Sequence, residues 1–116
     1  MGDRDEHLDP EVMRELQVVM GEDFRVLIDT FVADSERRLR DIEQAITAGD
    51  ADALRRCAHS FKGSAGNMGA PALAGLCQEL ERLGREGVIT SAAATLEVAR
   101  REYRAVCAEL AALPGS

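Results

Sequence analysis

Apolar side chains recur at steps of three and four along almost the whole chain, the period of helices that bury one face. Asp9-Pro10 reads as a helix start, with Asp9 as N-cap and Pro10 in the first turn, where its missing N–H does no harm. This short helix is expected to end near Gly21. A long helix then runs from Glu22 to Ala48, with Phe24, Leu27, Ile28, Phe31, Val32, Leu39, Ile42 and Ile46 on one side. Gly49 ends it and Asp50 caps the next helix, whose inner face is Leu54, Cys57, Ala58, Phe61, Ala65 and Met68. A tight Gly69-Ala70-Pro71 turn reverses the chain. The fourth helix packs through Leu73, Leu76, Cys77, Leu80 and Leu83 and stops near Gly84 to Gly87. Ser91 or Thr90 caps the last one, whose stripe is Ala92, Leu96, Ala99, Tyr103, Val106, Leu110 and Leu113. No segment reads as a strand. Long amphipathic helices on short loops must lie antiparallel to their neighbours. The expected fold is all-α, an antiparallel up-and-down four-helix bundle with an additional short N-terminal helix. Residues 1–7 form an N-terminal tail and residues 8–113 the domain.

Composition narrows the function. With 116 residues the chain makes one domain. Lys and Arg number 14 against 21 Asp and Glu, so the formal charge is 14 − 21 = −7. That balance argues against nucleic acid and against anionic membranes as general partners. No apolar run approaches the roughly 20 residues that a membrane span needs. The charged start, Met1 to His7, lacks the apolar stretch of a signal peptide, and His7 reads as a tail residue. Cys57, Cys77 and Cys107 are odd in number and lie on helix stripes, so reduced core thiols are expected and the setting is cytoplasmic. The polar side of the long helix offers no dimer seam, which favours a monomer.

One stretch breaks local propensity. Residues 59–69 read His-Ser-Phe-Lys-Gly-Ser-Ala-Gly-Asn-Met-Gly. Glycine inside a helix costs about 1 kcal/mol relative to alanine. Gly63 and Gly66 accept that cost beside the only internal histidine, as expected where bare backbone admits a large partner. At 100° per residue the inner face of this helix clusters within about 60° of Leu54, while His59 points roughly 140° away. Arg55, Lys62, Gly63 and Gly66 share its outer side, so His59 is expected at the surface.

The turn at Ala70 supplies a partner. In an antiparallel hairpin, residues whose numbers sum to about 140 lie level, which sets Glu81 opposite His59 and Gln78 opposite Lys62. A carboxylate at Glu81 that accepts a bond from Nδ1–H would leave Nε2 as the nucleophilic nitrogen. Arg55, Arg56 and Lys62 give three positive charges with no acid between residues 53 and 78. Such a basic spot on an acidic protein suits a phosphate or an acidic partner pocket. Ser64 and Asn67 could add hydrogen bonds beside it.

His59, Lys62, Gly63, Gly69, Leu73, Cys77, Leu80 and Glu81, at these spacings, resemble a histidine-containing phosphotransfer (HPt) domain of multistep two-component signalling, of the type found in hybrid sensor kinases. The motif likeness covers residues 50–85, and the bundle layout extends it over nearly the whole chain. The resemblance implies that His59 accepts a phosphoryl group from a receiver-domain aspartate and passes it to another. Lys62 would neutralise charge on the moving group, while Gly63 and Gly66 keep the approach clear. Arg55, Arg56, Ser64, Gly66, Asn67 and Gln78 would contact the partner. The implied partners are response-regulator receiver domains and a hybrid sensor kinase. Mg²⁺ is expected in the receiver, and this chain has no cofactor and no metal site of its own. Two positions depart from the commoner pattern: Phe61 stands where an aliphatic side chain is usual, and Glu81 where some members carry Gln.

Two other functions fit parts of the pattern. A helical adaptor would bind receiver or kinase domains without carrying phosphate. A phosphohistidine or phosphoester hydrolase would need a second catalytic acid near His59, and none is evident. No Gly-rich nucleotide loop is present, so the chain reads as a phosphoryl carrier and not as an ATP-dependent kinase.

Overall fold

The computed structural model describes residues 7–113, and every regular element among them is helical. Helix α1 (Pro10–Met20) passes through a short 3-10 turn (Gly21–Asp23) into the long α2 (Phe24–Ala48), followed by α3 (Ala51–Asn67), α4 (Pro71–Glu86) and α5 (Ala92–Ala112). Local chemistry explains most of the boundaries. The Asp9 carboxylate accepts from Glu11 N–H ahead of Pro10, and that of Asp50 accepts from Ala53 N–H. Gly49 and Gly87 end α2 and α4 in the left-handed conformation, at φ 69° and 75°.

Each helix packs on the next, α5 returns to α2, and α3 with α4 forms the most extensive pairing. Among the described residues the backbones of diagonal helices do not approach each other closely, so α2 to α5 close an antiparallel up-and-down ring. Helix α1 lies outside this ring. Its entry is pinned where Asp9 N–H donates to Gly69 O at 2.7 Å. Gly69 sits at φ +76°, and a Cβ there would come within 2.8 Å of Val12 Cγ1.

The core follows the apolar stripes. Leu54, Ala58, Phe61 and Ala65 of α3 meet Leu73, Cys77 and Leu80 of α4, all without solvent exposure. Burial pushes the Cys77 thiol up to about 12. Cys57 and Cys107, expected in the core, are only half-buried at its edge, and all three thiols are free.

The structure also departs from the sequence reading. Ser91 adopts a helical φ and ψ of −88° and −11°, not the extended geometry of a cap, and its side chain caps nothing. His7 is no free tail residue: its Nδ1 lies 2.8 Å from Glu102 on α5, where Glu109 accepts from the backbone N–H of both His7 and Leu8. Helix α4 stops within the expected Gly84 to Gly87, at Gly87, but Gly84 itself is buried inside the helix, where a Cβ would lie 2.7 Å from Arg55 N and 2.8 Å from Ala51 O of α3. The missing side chain is what lets α4 touch the backbone of α3.

That geometry separates two kinds of helical glycine. Gly84→Ala should lower the unfolding free energy by about 1–3 kcal/mol, the usual penalty of overpacking. Gly63, with nothing within 4 Å of its Cβ direction, should behave oppositely, and Gly63→Ala should stabilise by about 0.5–1 kcal/mol. Urea unfolding of both variants checks this, and a neutral Gly84→Ala would contradict the close contact.

Candidate functional site

The closeness of α3 and α4 assembles the site from one residue pair. His59 and Glu81 lie level across the helix pair, and the imidazole Nδ1 is 3.0 Å from Glu81 Oε2. The His59 side chain is 64% exposed, whereas that of Glu81 is 9% exposed. A carboxylate can only accept, so Nδ1 donates its proton and Nε2 keeps a lone pair on the solvent side of the ring.

Glu81 holds more than the imidazole. Lys62, one turn after His59 on α3, brings Nζ to 2.8 Å from Oε1. That approach is off the line a hydrogen bond prefers, and charge holds the pair. Arg85, one turn further along α4, stands 3.7 Å from Oε2. The Lys62 ammonium first, and the imidazole with it, outweigh burial and keep the Glu81 carboxyl below its ordinary 4.5.

Lys62 was expected opposite Gln78. Its ammonium reaches Glu81 instead, because a buried carboxylate needs a counter-charge and an amide does not, and Gln78 is left exposed on α4. The expected basic spot is also largely neutralised. Asp52, just outside the acid-free window, pairs with Arg55 at 3.0 Å and Arg56 at 2.9 Å. These i, i+3 and i, i+4 pairs form within one turn of α3, and the two guanidinium groups hold the Asp52 carboxyl low, Arg56 most strongly.

Around His59 the surface is clear. Beyond the adjoining residues and local backbone of α3 itself, no atom lies within 4 Å of where a Cβ would stand on Gly63 or Gly66. Ser64 and Asn67 of α3, with Gly63, form one wall of a groove of about 570 Å³. Leu16 and Met20 of α1 and Leu27 and Phe31 of α2 form the other. Sequence reasoning missed this groove. Leu16 and Met20 share a face of α1 by their i, i+4 spacing, but nothing local says that α1 lays that face beside α3.

Comparison with known proteins follows from this geometry. A family model described as Hpt domain matches residues 26–113. The chain is similar to the crystal structure of histidine-containing phosphotransfer protein B (HptB) from Pseudomonas aeruginosa PAO1, with 52% sequence identity. That match covers 87% of this chain and 88% of the other, at a TM-score of 0.85. No curated protein sequence matches the chain.

The lowered Glu81 carboxyl has a consequence for stability. A carboxylate whose folded pKa is depressed contributes stability above its unfolded value, and that contribution is lost as pH falls through the folded one. Wild-type stability should therefore drop below the ordinary 4.5 as Glu81 takes up a proton. Glu81→Gln has no such proton to gain, so its urea midpoint should fall less between pH 5 and pH 3 or so. Equal losses in both proteins would show that the carboxylate cluster adds nothing.

Proposed function

The chain belongs to the Hpt domain family, and on that premise we propose that Nε2 of His59 is the atom that carries the phosphoryl group. The chain is a histidine phosphotransfer intermediate of a two-component phosphorelay, exchanging phosphate with response-regulator receivers. As a carrier it needs no ATP site of its own. The observation that supports His59 is an exposed imidazole with Nδ1 tethered to a buried carboxylate. Only one ring nitrogen is then free to attack.

Phosphoryl transfer needs alignment and charge neutralisation more than covalent machinery. In the proposed step the Nε2 lone pair attacks phosphorus in line with the bond to the receiver's aspartate. The receiver's acidic pocket supplies the Mg²⁺. Lys62, one-third exposed at the rim, turns its ammonium from Glu81 toward the incoming phosphoryl oxygens. Gly63 and Gly66 leave the receiver room to bring its aspartate within bonding distance of the ring.

The same reading assigns the groove beside Ser64 and Asn67 to the docked receiver, with Arg55, Arg56 and Gln78 on the rim of the interface. It treats residues 8–113 as the working unit, acting as a monomer in the cytoplasm. The receiver domain of a hybrid sensor kinase is its donor. None of the described helices is long and apolar enough to cross a membrane.

Incubation with a ³²P-labelled phospho-receiver should give acid-labile, base-stable label on the wild-type chain and none on His59→Gln. Gly63→Gln should slow transfer roughly 10- to 100-fold, the scale on which small misplacements act, with unchanged helical circular dichroism. Binding without label would favour an adaptor role. Released inorganic phosphate without trapped label would favour a hydrolase.

A further inference from the structure

The chain ahead of α1 is fastened before the helix begins. The backbone N–H groups of His7 and Leu8 each donate to one oxygen of Glu109 on α5, both at 3.2 Å, and that of Asp9 donates to Gly69 O. Glu102, two turns before Glu109 on the same side of α5, holds the His7 ring at 2.8 Å. Leu8, in the middle of this segment, is buried. Building on the assignment of the groove to the docked receiver, we infer that Glu109 is a positioning residue for exchange with a receiver. It fastens the start of α1 to α5 and so sets where Leu16 and Met20 stand in the groove wall.

Helix α1 needs such an anchor because its own packing is thin. Of its 11 residues only Met13 is buried, and Val18 and Val19 are 83% and 79% exposed. A helix of that length is marginal in water without help from tertiary contacts. Among the described helices its backbone comes close only to α2 and the 3-10 turn that joins them. The space left between α1 and α3 is the groove itself. Continuity into α2 fixes the far end of α1. The near end is fixed by the three amide bonds and by the close fit of Val12 over the bare Gly69. A carboxylate that accepts two adjacent amides makes charge-assisted bonds, stronger than neutral ones. It is also the part of the anchor that a side-chain change can remove, since the bond to Gly69 uses backbone alone.

Glu109 has no direct route to the chemistry. Its bonds go to His7 and Leu8, and the backbone of α5 does not approach that of α3, which carries His59. Any effect on transfer must pass through the placement of α1. If release of the segment leaves α1 in place for roughly a tenth of the time, the apparent affinity for a receiver falls about tenfold. The reactivity of the imidazole is untouched. A loss confined to docking is therefore the signature of this role.

The test compares two phosphoryl donors. Transfer to His59 is followed from a ³²P-labelled phospho-receiver at varied concentration, and from potassium phosphoramidate, a small donor that needs no groove. Glu109→Ala should raise KM for the phospho-receiver about 5- to 20-fold with kcat kept within about twofold. Its rate with phosphoramidate should match that of the wild type. Glu109→Gln, which keeps one carbonyl acceptor, should fall between the two. An unchanged KM in Glu109→Ala overturns the inference, and so does an equal loss with both donors, the result that general loosening of the bundle would give. Leu16→Glu separates this inference from the reading beneath it, because it puts a charge directly into the groove wall. No effect of Leu16→Glu on KM would bring down the groove assignment and this inference with it. A raised KM in Leu16→Glu beside a normal one in Glu109→Ala would remove this inference alone. The wild-type chain gives a reading that does not depend on any variant folding: the Leu8 amide should exchange its hydrogen at least about tenfold more slowly than an unprotected amide. An unprotected Leu8 overturns the anchor.

Discussion

Everything at the site depends on how closely α4 approaches α3. Gly84 sets that distance, because a Cβ there would collide with the backbone of Ala51 and Arg55. Arg55 lies one turn before His59 and Gly84 one turn after Glu81, so the tightest point of the helix pair is adjacent to the tether. With the backbones in contact, a short glutamate side chain on one helix spans to the ring on the other. Phe61, Leu80 and Cys77 seal the opposite side of the pair without exposure, so the two helices cannot separate at one edge without opening the core. Orientation of an exposed ring is thereby drawn from buried packing.

The electrostatics are local. A chain of net charge −7 would repel an acidic receiver pocket at long range, yet the side chains around His59 are arranged in short neutralising pairs. Asp52 occupies Arg55 and Arg56, and Glu81 occupies Lys62 and His59. Only the second pairing is enclosed. An exposed pair such as Arg56 with Asp52 contributes little beyond fixing two side chains. A carboxylate almost cut off from water has to keep its partners, since leaving it unpaired would cost several kcal/mol. Net charge is therefore a weak guide to this surface; the enclosed carboxylate sets its behaviour.

The helices were legible because their apolar stripes repeat without interruption, and so was the level pairing of His59 with Glu81, because the Gly69-Ala70-Pro71 turn fixes the register. What the sequence concealed was determined by three-dimensional proximity. Ser35 continues the α2 stripe as a wholly buried residue, but a polar side chain hides it from a count of apolar positions. Gly84 looks like a terminator because glycine ends helices more often than it makes contacts inside them. Lys62 and Gln78 are level in register, and the lysine still reaches Glu81, since charge outranks register when the side chain is long and flexible. The groove against α1 follows from tertiary placement alone. His7 is tied down by acids 95 and 102 residues away in sequence, which no local pattern encodes.

The sparseness of the site is itself informative. A nucleophile that had to lose a proton during attack would need a base, and one that had to regain it on unloading would need an acid. An imidazole already protonated at Nδ1 needs neither, because the attacking nitrogen carries no hydrogen and the other keeps the hydrogen it has. With His59 as the proposed phosphoacceptor, no proton would need to cross the interface in either direction, and the barrier would be the same chemical problem for both receivers. That removes any need for a cleft. On the proposed assignment a helix pair with one ring, one lysine and two bare positions is enough, because the metal, the acidic pocket and the second nucleophile would all belong to the partner. An enclosed catalytic site would work against this chemistry by excluding the receiver that must bring them.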